Sequence, residues 1–166
     1  MGQLVFQATL GGAVNLVGPN TASTFNLNVP AASDTIVARD TTDTLTNKTL
    51  TTPAVTNPTV TNYIETPYSA NSSTAITIAL TNGTVQIITL TGNATITMPT
   101  AVSGKSFIML LKQDGTGSRT VTWSTVKWPG GTAPTITSTA SRQDIYSFFS
   151  DGTNWYGVTV GQNYTP

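Results

Sequence analysis

Residues 85–98 read VQIITLTGNATITM, and this stretch decides the fold class. Apolar and β-branched side chains fill both of its halves, and Gly92-Asn93 stands between them as a turn signal. Branching at Cβ disfavours helices and suits the pleated surface of a strand. The stretch therefore predicts two short strands separated by a turn.

The same pattern of short apolar runs and turns continues through residues 68–166, about 99 residues that suffice for one small domain. Turns rich in Gly, Asn and Asp separate short apolar runs. The predicted strands are 76–80, 85–90, 94–98, 107–111, 121–126, 145–149 and 155–160, with an eighth candidate at 135–137. Short strands at regular spacing are typical of a β-sandwich or jelly roll, so we expect an all-β knob.

One strand is apolar throughout. Residues 107–111 read FIMLL, with no alternation of apolar and polar side chains. A continuous apolar run predicts a strand that is covered on both faces. Either it is the central strand of its sheet, or another subunit covers its second face.

The composition excludes several classes of function. Charged residues are 8% of the chain, against about 25% in an average soluble domain, while Thr accounts for 35 of the 166 residues. The absence of Cys and His rules out disulfides, thiolate nucleophiles, Cys-based zinc sites and an imidazole base. The net charge of zero gives no attraction to nucleic acid, and the longest apolar run, five residues, predicts no membrane insertion.

The carboxylates give little reason to expect catalysis. There is one Glu, Glu65, and six Asp. Asp114 and Asp151 each precede a Gly in a predicted turn, where Asp forms local hydrogen bonds, and Asp40 and Asp43 lie in a polar segment. We expect no catalytic residue, no metal site, no cofactor and no enzymatic activity.

Residues 39–67, RDTTDTLTNKTLTTPAVTNPTVTNYIETP, form a segment of their own. Its apolar residues Leu45, Leu50, Val55 and Val60 are spaced by five, and its prolines exclude a helix. Five is odd, so a flat strand would place successive members on opposite faces. The segment could bury them against copies of itself around an axis, as a shaft. The alternative is a disordered linker.

Charge is also missing where such self-association would need it to be. From Thr49 to Gly104 the sole charged residue is Glu65. Like charges that meet around a symmetry axis repel one another, so their absence favours a self-associating segment. Before the segment, residues 24–29 alternate as in a half-buried strand, and residues 3–7, 13–17 and 34–38 are weaker strand candidates.

Aromatic residues are the best candidates for binding. Trp123 is predicted to lie in the core, and Trp155 and Tyr156 must point to opposite faces of their strand. Trp128 follows Lys127 and opens a loop, where its ring could stack on a sugar or a receptor surface. Equally, Trp128 could fill the end of its own sandwich or a seam between subunits.

Several stretches resemble segments of bacteriophage tail fibre and virion appendage proteins: residues 15–32, 43–53, 111–119, 128–131 and 150–156. The resemblance implies a virion structural protein, a homotrimeric fibre. Residues 1–38 would then attach to other virion proteins of the tail (baseplate) or capsid, residues 39–67 would wind into a shaft, and residues 68–166 would form the knob that meets a host cell-surface glycan or protein.

Two other functions are also compatible with the sequence. A capsid decoration (cement) protein or head fibre would also carry an extended arm and a charge-poor surface. A carbohydrate-binding module would use the loop containing Trp128 on a β-sandwich.

Overall fold

The computed structural model describes residues 44–166, together with Ala22 and Thr24. The chain divides into two compact units, Met1–Val55 and Thr56–Pro166. The strand candidates at 3–7, 13–17 and 34–38 lie outside the described residues. So do Asp40, Asp43, the 24–29 strand apart from Thr24, and the rest of the attachment region at 1–38.

The described residues are all-β, as the sequence predicts. Their strands are β1 (Tyr68–Ser72), β2 (Ala75–Thr77), β3 (Val85–Leu90), β4 (Ala94–Thr97), β5 (Ser106–Gln113), β6 (Val121–Ser124), β7 (Val126–Lys127), β8 (Gln143–Ser150) and β9 (Trp155–Tyr164). Helical structure within these residues is limited to two 3-10 turns, Leu80–Asn82 and Pro129–Gly131. None of it is long and apolar enough to cross a bilayer.

The strands form two sheets. The large sheet has the order β1-β3-β5-β8-β9-β7, and the small sheet has the order β2-β4-β6. Up to β7 the chain passes from one sheet to the other with almost every strand, so that neighbouring strands within each sheet run parallel. Strands β8 and β9 then return antiparallel. The two sheets agree with the predicted sandwich, but the parallel winding differs from a jelly roll, whose strands are antiparallel.

The core lies between the sheets and consists of alternate side chains from both. Ile88 and Met109 of the large sheet and Ile96 of the small sheet are fully buried. Phe107 and Phe148 stack with ring centroids 4.6 Å apart. Full burial of a side chain of this size contributes about 1.5–3 kcal/mol, so this layer accounts for most of the stabilisation of the knob.

The predicted strand at 121–126 is wrong in one respect, because the structure divides it into β6 and β7. Thr125 lies between them with a φ of 62°, a left-handed conformation that a β-branched residue seldom adopts. At this residue the chain leaves the small sheet and joins the edge of the large one. The left-handed residue makes the corner.

Three other differences concern short elements. Residues 135–137 form no strand, and the backbone N–H of Thr137 donates to the Asp144 carboxylate instead of to a sheet neighbour. The candidate at 76–80 ends at Thr77, because the chain turns into a 3-10 turn at Leu80. Strand β1 has no sequence prediction, since it contains few apolar residues and is recognised only through its parallel pairing with β3.

Candidate functional site

The large sheet turns one face to the core and the other, called here the outer face, away from it. The register aligns apolar side chains on the outer face across four strands. Ile108 pairs with Val85 on one side and Ser147 on the other, and Ser147 pairs with Val158. The apolar members of the outer face are Val85, Ile87, Ile108, Leu110, Ile145, Phe149, Tyr156, Val158 and Val160.

These side chains are unusually exposed for their size. Phe149, Val158 and Val160 retain 51%, 50% and 56% of their accessible surface, and Ile108 and Tyr156 retain 41% and 44%. A contiguous group of large apolar side chains on a protein surface marks a site of interaction. The outer face is therefore the first candidate functional surface of the knob.

The strand residues at the centre of the outer face carry no charge. The nearest charged side chains lie at its margins, where Lys112 follows Leu111 on β5 and Lys127 pairs with Tyr156 across β7 and β9. Near the start of β3, the Thr84 hydroxyl donates to the Glu65 carboxylate. The surface thus has an apolar centre and a margin with polar and charged groups, the usual anatomy of a protein interface.

The large sheet shows which face of the FIMLL run, residues 107–111, is covered. β5 is an interior strand of the large sheet, which agrees with one of the two alternatives. Within the single chain one face of β5 is uncovered, because Ile108 is exposed, and cover of that face by another subunit stays a prediction. Sequence reasoning also missed the contribution of β9. There residues 155–160, WYGVTV, place apolar side chains on both faces, which was the available signal.

Trp128 lies in the core and not on a loop surface. It retains 9% of its accessible surface, and its ring meets those of Trp123, Tyr146 and Phe148 at centroid distances of 5.2, 6.0 and 5.8 Å. Gly130 and Gly131, both with positive φ, turn the chain sharply after it. Trp128 therefore fills the end of the sandwich, the second of the two interpretations of this residue.

Lys127 is separated from Trp128 by the alternation of the strand and is exposed. It lines a cleft of about 420 Å³ together with residues of three loops. The cleft presents the hydroxyl-bearing residues Thr125 and Thr153 and the amide of Asn154. The described residues include no carboxylate within ion-pair distance of Lys127. The cleft therefore offers one ammonium group among neutral hydrogen-bonding groups.

The apolar residues of the shaft segment are exposed in the single chain. Leu45, Leu50, Val55 and Val60 retain 48%, 59%, 61% and 56% of their accessible surface. No residue from 44 to 67 belongs to a strand or helix. These side chains have no cover within the described part of the chain.

The backbone of the segment repeats with the same period. Asn47, Thr52 and Asn57 have φ values of 55°, 48° and 49°, each two residues after an apolar member of the series. Left-handed residues interrupt the regular alternation of an extended chain. The rule that would place side chains five apart on opposite faces therefore does not apply to this segment.

A buried carboxylate, that of Asp144, holds the other end of the large sheet together. It accepts hydrogen bonds from the backbone N–H groups of Thr137 and Asn163, at 2.7 and 2.9 Å, and from the Tyr146 hydroxyl at 3.1 Å. Burial raises the pKa of Asp144, but hydrogen bonds from Thr137, Asn163 and Gln162 outweigh burial, so the pKa lies below 3.8. Burial and the Asp144 carboxylate raise the pKa of Tyr146. Because the carboxylate accepts hydrogen bonds from its own chain, this cluster stabilises the fold.

The turn carboxylates form the local hydrogen bonds that the sequence predicts. Asp114 accepts from Arg119 and from the backbone of Thr116 and Gly117, and the guanidinium of Arg119 holds the pKa of Asp114 below 3.8. The N–H groups of Asn154 and Thr153, with the Tyr156 hydroxyl, lower the pKa of Asp151 to about 2. Both carboxylates are engaged in stabilising their own turns.

No group of three or more potential metal ligands comes together within the part of the chain that the structure describes. Its geometry identifies no set of residues that would hold a metal or cofactor. The candidate functional features of the described residues are three surfaces: the outer face, the cleft beside Lys127 and the exposed apolar series of the shaft segment.

Comparison with known proteins identifies the kind of domain. Residues 74–155 match the family described as "Putative phage tail fibre C-terminal domain". The match spans strands β2 to β8, which include the whole small sheet, and confirms the resemblance to phage tail fibre proteins. Searches of curated proteins and of solved structures give no match.

Proposed function

We propose that this phage tail fibre protein, a structural component of the virion tail appendage, forms a short homotrimeric fibre. Residues 1–38 attach it to the tail, residues 39–67 form a three-stranded shaft, and residues 68–166 form a knob that contacts the host surface. The observation that carries the proposal is the exposed, uncharged apolar series at Leu45, Leu50, Val55 and Val60.

The shaft is argued from the cost of leaving this series in water. Each of the four side chains is more than two-fifths exposed in the single chain. Each buried methylene is worth about 0.8 kcal/mol, so a repeated seam gains stability with every repeat. Because the left-handed residues recur with the same period of five, each repeat can make an equivalent contact around one axis. Three copies wound together would bury the series.

Charge supports symmetric association of the segment. After Lys48 the next charged residue is Glu65, so the residues carrying Leu50, Val55 and Val60 present none. Identical segments around an axis bring identical residues together, and charges in that position would repel. Thr and Asn keep the outside of such a shaft hydrated without introducing that repulsion.

Host contact is assigned to the cleft beside Lys127. Its hydroxyl, amide and ammonium groups suit a glycan or a polar protein surface, whose groups they can hydrogen-bond. The exchange of Lys127 for Ala is expected to weaken adsorption to host cells, and the exchange of Lys105, another exposed lysine, provides the control. Equal adsorption of both variants would remove the cleft from the contact.

The role is structural and not enzymatic. Asp114 and Asp151 are engaged in their own turns, and Asp144 is closed into a buried hydrogen-bond cluster. None of the three faces a substrate-sized cleft with a second carboxylate, which acid–base hydrolysis of a glycan requires. A host polysaccharide incubated with the protein should keep its length.

The proposal is tested on the virion itself. Labelled antibody against residues 68–166 should decorate the end of a tail appendage, and averaged images of the appendage should show three-fold symmetry. Label on the capsid, or an appendage with another symmetry, would contradict the arrangement proposed here.

A further inference from the structure

We infer that the outer face of the large sheet is the surface through which the knobs of neighbouring protomers pack against one another. The occupant is a second copy of the same chain. This inference rests on the proposed homotrimer and specifies which surface of residues 68–166 is buried in it.

The size of the outer face fits a contact between protomers. Its five most exposed members keep between 41% and 56% of their accessible surface. Phe and Tyr side chains bury about 150–250 Å² each and those of Val and Ile less, so the five together leave roughly 400 Å² accessible. A stable protein interface buries about 800 Å² on each partner. These side chains alone therefore provide about half of an ordinary interface.

The distribution of charge favours a copy of the same chain as the partner. The two rows of register partners centred on Ile108 and Leu110 contain no charged residue on the outer face, and the row centred on Phe149 ends at Lys127. The basic residues nearest to the patch, Lys112 and Lys127, lie at its margins. A partner held by opposite charges would need charged residues in these apolar rows, and the rows contain none. A copy of the chain supplies the same uncharged apolar rows, so two such faces can cover each other without burying an unpaired charge.

On the outer face, small side chains lie next to large ones, which suits packing against a second such face. Ser147 is a small residue between Ile108 and Val158, and Ser106 precedes Ile108 on the same face. A shallow groove of about 300 Å³ is lined by Ser106, Ile108 and Ser147, with Glu65 and Thr84 also on its walls. Phe149 and Tyr156 stand beside these small residues as protruding rings. Large and small residues side by side allow two such faces to interdigitate.

The test uses two valines of equal exposure in the full chain. Val158 lies on the outer face with 50% exposure, and Val102 lies in the loop between β4 and β5 with 51%. We expect Val158→Lys to raise the concentration at which the trimer dissociates at least about tenfold, because the contact would bury an unpaired ammonium group among apolar side chains. Val102→Lys should leave that concentration unchanged. Each variant is measured by light scattering after size-exclusion chromatography.

The outcomes separate the inference from the proposal on which it rests. A trimeric wild type with a trimeric Val158→Lys variant would overturn the inference and leave the proposed trimer intact. A monomeric wild type would overturn both. If Val158→Lys lowered the unfolding temperature without dissociating the trimer, the outer face would be covered by a segment of its own chain, which also overturns the inference.

A second measurement does not depend on the tolerance for charge. The chain contains no cysteine, so a single introduced cysteine reports on one position only. We expect Val158→Cys to be linked between protomers by a short bismaleimide and Val102→Cys to remain unlinked. Equal linking of the two variants, or none at Val158, would contradict the assignment of this face.

Discussion

Gly157 lies directly against the indole ring of Trp128, because a Cβ atom at position 157 would stand 2.7 Å from Cζ3 of that ring and 2.8 Å from Cη2. Gly157 lies on β9 and Trp128 directly follows β7, and their contact closes one end of the sandwich. Trp128 reaches the core only because β9 has no side chain at this point. The tryptophan that the sequence offers as a receptor contact thus has a structural role in the single chain.

Gly157→Ala should therefore destabilise the knob. The added methyl group must displace the Trp128 ring or the backbone of β9, and overpacking of this kind costs about 1–3 kcal/mol. Urea denaturation measures the loss. Gly115→Ala is the matched control, since a Cβ there would meet nothing within 4 Å. A loss at position 157 no larger than at position 115 would contradict the packing described here.

Trp128→Ala should cost about 3–5 kcal/mol of unfolding free energy, the usual loss for a large buried aromatic side chain. Trp128→Phe should cost much less, because it keeps part of the ring packing. It also removes an indole N–H that has no hydrogen-bond partner within the described residues. Thermal unfolding followed by circular dichroism compares the two variants. Equal stability of the Ala variant and the wild type would place Trp128 outside the core.

Asp144→Ala should be among the most damaging substitutions of a polar residue in the knob. It removes the acceptor for two backbone N–H groups and for the Tyr146 hydroxyl. The site is buried, since Asp144 retains 2% of its accessible surface. Buried donors left without acceptors cost about 1–3 kcal/mol each. Tyr146→Phe, which removes a single donor, should cost about 1 kcal/mol. Denaturant titration of both variants tests the ranking.

The stability of the knob should fall in acid. Asp114, Asp144 and Asp151 all have pKa values below 3.8 in the folded protein, and that of Asp151 is about 2. A carboxyl group with a depressed folded pKa favours folding above its unfolded pKa, and this contribution disappears as the pH falls through the folded value. The urea midpoint should be flat from pH 7 to about 5 and drop between about pH 4 and 2. Asp151→Asn should make that drop shallower, and an unchanged profile would contradict the hydrogen bonds assigned to this carboxylate.

Local patterns predicted the strands of the knob well, and the contacts between distant residues explain the rest. The β-branched runs and the Gly92-Asn93 turn located β3 and β4 almost to the residue, and alternation placed Trp155 and Tyr156 on opposite faces, as observed. The parallel winding could not be predicted, because it depends on which sheet each connection reaches. The position of Trp128 depends on Gly157, 29 residues further along the chain, and no local pattern reports that vacancy.

The outer face likewise could not be predicted from any one strand. Its members come from four strands, and each strand alone contains only two or three of them. The FIMLL run indicated that a second apolar face exists, but only the register of β3, β5, β8 and β9 shows that these side chains form one surface. The five-residue spacing of the shaft segment was visible in sequence, whereas the left-handed residues that accompany it were not.

The mass of the full chain in solution, measured by sedimentation equilibrium at micromolar concentration, tests the proposed trimer most directly. We expect a single species of three times the 17.4 kDa of one chain. A species of 17.4 kDa that persists as the concentration is raised would contradict it.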